Sequence, residues 1–319
     1  EGERAFDVDQ TNDLVVVGEE AVVKWFLHPT EDEQPAPHRM AALARAEFDG
    51  TPRPWAAVHL DVDGSRALVA TVAEHVPGTR DGWEWAVEEV RAIADGHGDR
   101  VSDFPADVAR LVARMHVALA SDGTREATGE QVQSWLRSAA SDLQHAELTP
   151  VSAALAMHML QPIAACAGTV LLDTHGDLHI GQVLRSDVTG RYYVIDFDGN
   201  PTLTPSERLL KQPAARDVAG MLASLDHVGR VVLKRTTRLD DQQRGRVLAW
   251  IEDAQVSFLD AYHLALDRAG RADLLDERLI RPFQVQQECR EYAYAARYLP
   301  HWRYVPDAAL PALLSRGSA

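Results

Sequence analysis

The chain has 319 residues, 46% hydrophobic and 25% charged, enough for two lobes and a substantial core. Its formal net charge of -16 argues against a nucleic-acid or anionic-membrane partner and leaves a small-molecule pocket free to be acidic. The two cysteines, Cys166 and Cys289, form neither a disulfide framework nor a zinc pattern, and no signal peptide is visible, so a reduced cytoplasm is expected.

In chain order, residues 14–17 and 21–26 predict a hairpin turning at Gly18, Glu19 and Glu20. Lys24 stands inside the second, apolar strand, in a chain whose 32 basic residues include just three lysines, Lys24, Lys211 and Lys234. Taken alone, it reads as an exposed edge-strand lysine. Residues 31–37 look like a mobile loop with two prolines and three acids. The apolar run 67–73 suits a buried strand that closes at Glu74-His75-Val76-Pro77-Gly78, where proline and glycine begin a connection between lobes. Gly82-Trp83-Glu84-Trp85 opens a helix with its tryptophans as packing anchors, and helical spacing continues over 104–120, capped by Asp103 or Ser102, with His116 as a packed or structural histidine. Residues 131–144, 152–165, 242–268 and 284–298 repeat that spacing. The run 151–172 is broken by His158, Gln161 and Pro162, and reads as a buried helix followed by a strand rather than a membrane span.

The chemistry concentrates in His175-Gly176-Asp177-Leu178-His179-Ile180-Gly181-Gln182 and in Tyr193-Val194-Ile195-Asp196-Phe197-Asp198-Gly199. Residues 182–185 and 192–197 read as strands around a turn at 187–190, so a hairpin would carry Gln182 and Asp196 to neighbouring positions, with Asp177 in the preceding loop. An ordinary polar turn would explain His-Gly-Asp alone. The added amide and the second aspartate favour ATP-dependent phosphoryl transfer, in which one carboxylate accepts a hydroxyl proton while another, with an amide oxygen, holds magnesium.

Through HGDLHIGQVL, VIDFDGNP and the following Arg216-Asp217-Val218-Ala219-Gly220-Met221-Leu222, the chain resembles the aminoglycoside phosphotransferase-like kinases, and within them the actinobacterial maltokinases and glucosamine kinases. The resemblance spans nearly the whole chain. It implies an α+β, bilobal protein-kinase-like fold, with a small β-rich N-lobe and hinge over 1–78 and a large α-helical C-lobe over 79–319. It also implies Asp177 as catalytic base, Gln182 and Asp196 as Mg2+ ligands, and Asp217 as a buried brace of the catalytic loop. Lys24 would reach the ATP phosphates, Glu74, His75 and Val76 would bind adenine, and the glycine-free loop before the hairpin would be assisted by Thr11 and Asn12. Glu47 is the choice of acidic partner for Lys24 over Glu31 and Glu33, His38 occupying the usual position.

The acceptor side is sought in residues 284–297, where Gln284, Gln287 or Glu288, and Glu291 share one helix side. Spacing alone equally describes a solvated face with Glu288 or Glu291 paired to Arg290 or Arg297. The resemblance to glucosamine kinases implies a sugar site with Gln284, Glu288, Glu291, Tyr294 and Arg297, joined by Asp198, since carboxylates suit a protonated amine. The implied activity is phosphorylation of D-glucosamine at the 6-hydroxyl. Maltokinase, aminoglycoside phosphotransferase and an inactive kinase-fold binding module are the alternatives. The expected partners are an amino sugar and a nucleotide, with no nucleic acid or membrane, in a monomer or weak homodimer.

Overall fold

The computed structural model describes residues 3–5, 12–27, 33–62, 64–98 and 103–315. A small lobe is built on an antiparallel sheet of β1 (Glu3–Ala5), β2 (Asp13–Val17), β3 (Ala21–Trp25), β4 (Pro54–Val62) and β5 (Ser65–Glu74), in the order β1-β2-β3-β5-β4. Lys24 lies on the central strand, opposite Leu14 of β2 and Thr71 of β5. That register removes the edge-strand reading of the lysine.

Helix α1 (Pro35–Arg45) begins where a loop is expected, because proline at the first helical positions costs no hydrogen bond and sets φ for the helix. Of the expected loop, Glu31 and Asp32 lie outside the described residues. The buried stripe of α1 is Ala36, Arg39, Ala42 and Leu43, a helical spacing with a cation in it.

Strand β6 (Thr79–Arg80) follows the connection and pairs with β9 (Val183–Ser186), which pairs in turn with β10 (Tyr192–Val194). The predicted hairpin around the active-site residues is therefore present, and β6 fixes it to the end of the connection. Helix α2 (Gly82–Ala94) is capped by the Asp81 carboxylate, which accepts from Trp83 N and Glu84 N. Gly82 is obligatory there, since a Cβ would sit 1.6 Å from Ile180 O. The helix start thus presses directly on the catalytic turn. Trp85 is fully buried, packs edge-on against Phe104 and donates its Nε1–H to Val183 O at 3.1 Å. Truncating such a side chain costs about 3–5 kcal/mol.

The large lobe continues with α3 (Phe104–Ala120), capped by Asp103, then β7 (Arg125–Glu126), α4 (Gly129–His145), α5 (Pro150–Leu160) and β8 (Val170–Leu171). Ser102, the other proposed cap, lies outside the described residues. After the hairpin come α6 (Pro205–Arg208), α7 (Ala215–Arg235), α8 (Asp241–Arg268), α9 (Ile280–Arg297) and α10 (Tyr304–Ser315). The core runs between α3, α7, α8 and α9, centred on Met115, Met221, Phe258 and Tyr262. Helix α5 corrects the reading of 151–172: Ala156, Met159 and Leu160 are buried, whereas Val151 is 72% exposed and Leu155 and Met157 also face outward. Its apolarity all round resembles that of a core helix, but only one edge meets α4, α9 and α10. Among the described residues no helix is long and apolar enough to cross a membrane.

Candidate active site

The catalytic loop hangs from one buried carboxylate. Asp217, in the first turn of α7, accepts from His175 N at 2.6 Å and Gly176 N at 2.9 Å. His116 of α3 donates its Nε2–H to the same carboxylate at 3.0 Å, and its Nδ1 accepts from the Tyr262 hydroxyl at 2.7 Å. Burial alone would raise the Asp217 pKa, but the His116 hydrogen bond and the loop N–H groups hold it below the usual range. Asp217 is the brace the resemblance implies, and His116 is structural in a specific sense: it orients that brace.

Asp177 follows two residues later, its N–H directed at His175 Nδ1 at 3.3 Å, while His175 Nε2 donates to Ile195 O at 2.8 Å. Burial, followed by the charges of Asp196, Glu291 and Asp217, raises the Asp177 pKa to about 7. A carboxylate this basic is suited to accepting a proton near neutral pH.

Gln182 ends a short 3-10 turn (Ile180–Gln182), and its backbone oxygen accepts from Ile195 N at 3.0 Å, which brings the amide Nε2 to 3.4 Å from Asp196 Oδ2. Asp196 has φ 65°, a left-handed conformation unusual for a side chain with a Cβ, and this turns its carboxylate out of the strand direction. Lys24 Nζ lies 2.6 Å from Asp196 Oδ1 and 2.7 Å from Asp198 Oδ2. Burial opposes the lysine charge, but the two aspartates outweigh it and raise its pKa; in turn Lys24 lowers that of Asp196 against burial. An ammonium already sits where a cation is stabilised, between the Asp196 and Asp198 carboxylates, hard oxygen donors that suit magnesium, with the Gln182 side-chain amide beside Asp196.

The partner of Lys24 is thus Asp196 with Asp198, not Glu47. Glu47 is exposed with φ 53°, just beyond the end of α1. Glu33 is exposed, and Glu31 lies outside the described residues. His38 points outward to Asp122 at 3.2 Å and Asp173 at 3.7 Å. Those ligand atoms lie close enough for a metal ion, but Arg45 pairs with Asp122 and Lys211 with Asp173, so the carboxylates already have cations and the cluster is an ion-pair network.

On the nucleotide side, Thr11 lies outside the described residues, and Asn12 is partly buried just before β2. Glu74 N donates to Arg53 O and His75 N to Glu20 O, whereas the Val76 N–H has no partner among the described residues and Val76 O accepts from Thr79. That leaves Val76 free to donate in-plane to a ligand ring.

The acceptor helix divides differently from the expectation. Glu291 is half-buried, accepts from Gln287 Nε2 at 3.1 Å, and its charge raises the Asp177 pKa. Tyr294 is 44% exposed against Tyr298, and the exposed Arg297 lies over the Tyr298 ring. Glu288 and Gln284 turn inward, 2% and 5% exposed. Glu288 accepts from His227 Nε2 at 2.8 Å; its charge outweighs burial and raises the His227 pKa to about 9. Among the described residues the other Glu288 oxygen has no hydrogen-bond partner, and Glu288 lines a cavity of about 20 Å3 shared with Asp226, Gln255, Gln284 and Leu313, room for one water. Asp198 is joined to Lys24, and among the described residues no hydrogen bond or ion pair links it to α9.

Sequence reasoning passed over Arg39, His179, His227 and Trp302. Trp302 packs edge-on on Trp83 and on His227, and Trp83 lies against His179, whose pKa burial lowers to about 4. For Arg39 a signal existed: a guanidinium in the buried stripe of α1.

No family model matches the chain. A glucosamine kinase from Streptacidiphilus jiangxiensis is 47% identical over 98% of this chain and 74% of its own length. The chain belongs to the glucosamine kinase family. A second glucosamine kinase, from Mycolicibacterium smegmatis, is 42% identical over 100% of this chain and 81% of that one. A solved glucosamine kinase in complex with glucosamine, ADP and inorganic phosphate superposes with a TM-score of 0.89 at 44% identity, over 99% of this chain and 80% of that one. An aminoglycoside phosphotransferase with AMP-PNP and hygromycin B, 13% identical, covers 100% of this chain and 95% of its own with a TM-score of 0.55, a likeness of fold alone.

Proposed function

We propose that this glucosamine kinase family member transfers the γ-phosphoryl group of ATP to the 6-hydroxyl of D-glucosamine, with Asp177 as the base. The observation that carries the mechanism is Asp177 on a loop held by Asp217, its pKa raised to about 7 by burial and by the charges of Asp196 and Glu291. Asp177 accepts the hydroxyl proton as the sugar oxygen attacks in line. Lys24 leaves its aspartates for the nucleotide phosphates, and the free Val76 N–H donates to adenine, with Asn12 and Thr11 near the phosphate end. Asp196 and Gln182 would hold magnesium, which would neutralise the phosphate charge. The hinge at Glu74–Val76 would divide the N-lobe, 1–78, from the C-lobe, 79–319. All these residues come from one chain, so a monomer suffices, and the substrates fit a cytoplasmic setting.

Glu291, held by Gln287, is the carboxylate that meets the amine, with Tyr294 and Arg297 at the rim. Glu288 acts from behind through His227, and Asp198 serves the lysine rather than the sugar. This rests on the family membership for the substrate and on the electrostatic influence of Glu291 on Asp177 for the placement. Glu291→Gln is expected to raise the glucosamine KM about tenfold or more, consistent with loss of a charge-assisted contact worth about 1.5–3 kcal/mol. The ATP KM should stay within about twofold of the parent. Steady-state kinetics with both substrates varied check this; an unchanged preference for glucosamine over glucose would remove Glu291 from the amine.

A further inference from the structure

We propose that Arg39 is the positioning residue that sets the spacing between the catalytic base and the metal-binding aspartate, taking the coupling role that an acidic residue on α1 would otherwise play through Lys24. A single nitrogen, Nη1, donates to His175 O at 3.0 Å and to Phe197 O at 2.8 Å. The first acceptor is two residues before Asp177, and the second is one residue after Asp196. Its other nitrogen, Nη2, donates to Arg208 O at 2.6 Å, at the end of α6, which closes the segment that follows the metal loop.

The surrounding backbone is shaped to this guanidinium. Gly176 and Gly199 both have positive φ, 84° and 74°, and a Cβ on Gly199 would meet Arg39 Nη1 at 3.1 Å. A Cβ on Gly176 would lie 3.3 Å from Gly199 Cα, with both Arg39 Nη atoms just beyond. The two loops therefore touch each other around one cation. Arg39 is 3% exposed, and its acceptors among the described residues are all backbone carbonyls, which no substitution elsewhere can replace. A planar fork can reach acceptors on both sides at once, whereas a lysine ammonium at the end of a flexible stem cannot hold the same geometry.

The inference rests on the proposed reaction, and its test separates the two. Arg39→Lys keeps the charge and most of the volume, so it guards against a variant that simply fails to fold; Arg39→Ala is measured beside it. We expect Arg39→Lys to lower kcat with glucosamine at least tenfold while the Kd values for ADP and glucosamine, by calorimetry, stay within about threefold of the parent, because misplacing reacting groups costs rate before it costs binding. Arg39→Ala should lose at least a hundredfold in kcat and recover part of it on adding guanidinium ion at millimolar concentration, but not ammonium ion. A kcat for Arg39→Lys within twofold of the parent, or a parallel rise in both Kd values that accounts for the whole loss, would overturn the inference. A parent protein inactive on glucosamine would instead overturn the proposed function.

Discussion

Asp177→Asn is expected to lower kcat by about 10²–10⁴, the range for loss of a positioned general base. Nucleotide binding should be retained, since no nucleotide contact is assigned to Asp177. The same change should stabilise the protein without ligands. Asp177 has a folded-state pKa of about 7, above the unfolded value of about 3.9, so its ionisation opposes folding. That penalty is absent below about pH 4, grows through the interval to about pH 7 and is complete above it. An asparagine never ionises, so at pH 8 the variant should gain up to about 4 kcal/mol and melt higher than the parent, with the difference closing near pH 4. The parent's kcat should also fall with acid along a limb at or below about pH 7, because a protonated base cannot accept a proton. Undiminished turnover, or a variant that melts lower at pH 8, would contradict the assignment.

Asp217→Asn should do the opposite to stability. The native carboxylate takes three N–H donors, from His175, Gly176 and His116. An asparagine offers one oxygen, and its amide N–H groups must then face one of those donors in a site that is 2% exposed. Leaving a buried N–H donor facing an amide N–H and weakening the charge-assisted bonds costs about 1–3 kcal/mol. Thermal unfolding at pH 7.5 should show a clear loss, and turnover should fall because the loop carrying Asp177 hangs from those two N–H groups. A melting temperature equal to the parent's would show that the carboxylate does not carry the loop. Two carboxylate-to-amide changes on one loop and its brace thus move stability in opposite directions.

The legible part of this site was local in sequence. Gln182 and Asp196 meet because a turn at 187–190 pairs their strands, and the period and the turn residues declare that hairpin directly. Asp217 was legible through resemblance, its reason appearing only when His116 and Tyr262 arrive from α3 and α8. The stripe of α1 marks Arg39 as unusual but not its partners, because its acceptors include carbonyls 136 and 158 residues away, and backbone acceptors leave no mark in a sequence. The partner of Lys24 was sought on a helix, whereas the cleft brings the hairpin aspartates to it. On α9, polarity alone could not say which face looks at the site. Glu288 and Glu291 are three residues apart, yet one is buried on His227 and the other is half-buried beside Gln287. Helix α5 misled for the complementary reason, since an apolar composition fixes no direction when one edge alone has a partner.

The most direct test of the account is ADP release with Mg-ATP across glucosamine, N-acetylglucosamine, glucose, maltose and an aminoglycoside, with a control lacking sugar. The account predicts strong turnover on glucosamine and little on glucose or the acetylated sugar, because a carboxylate at Glu291 favours a protonated amine over a neutral group. Preference for maltose, or ADP release that no acceptor stimulates, would contradict it.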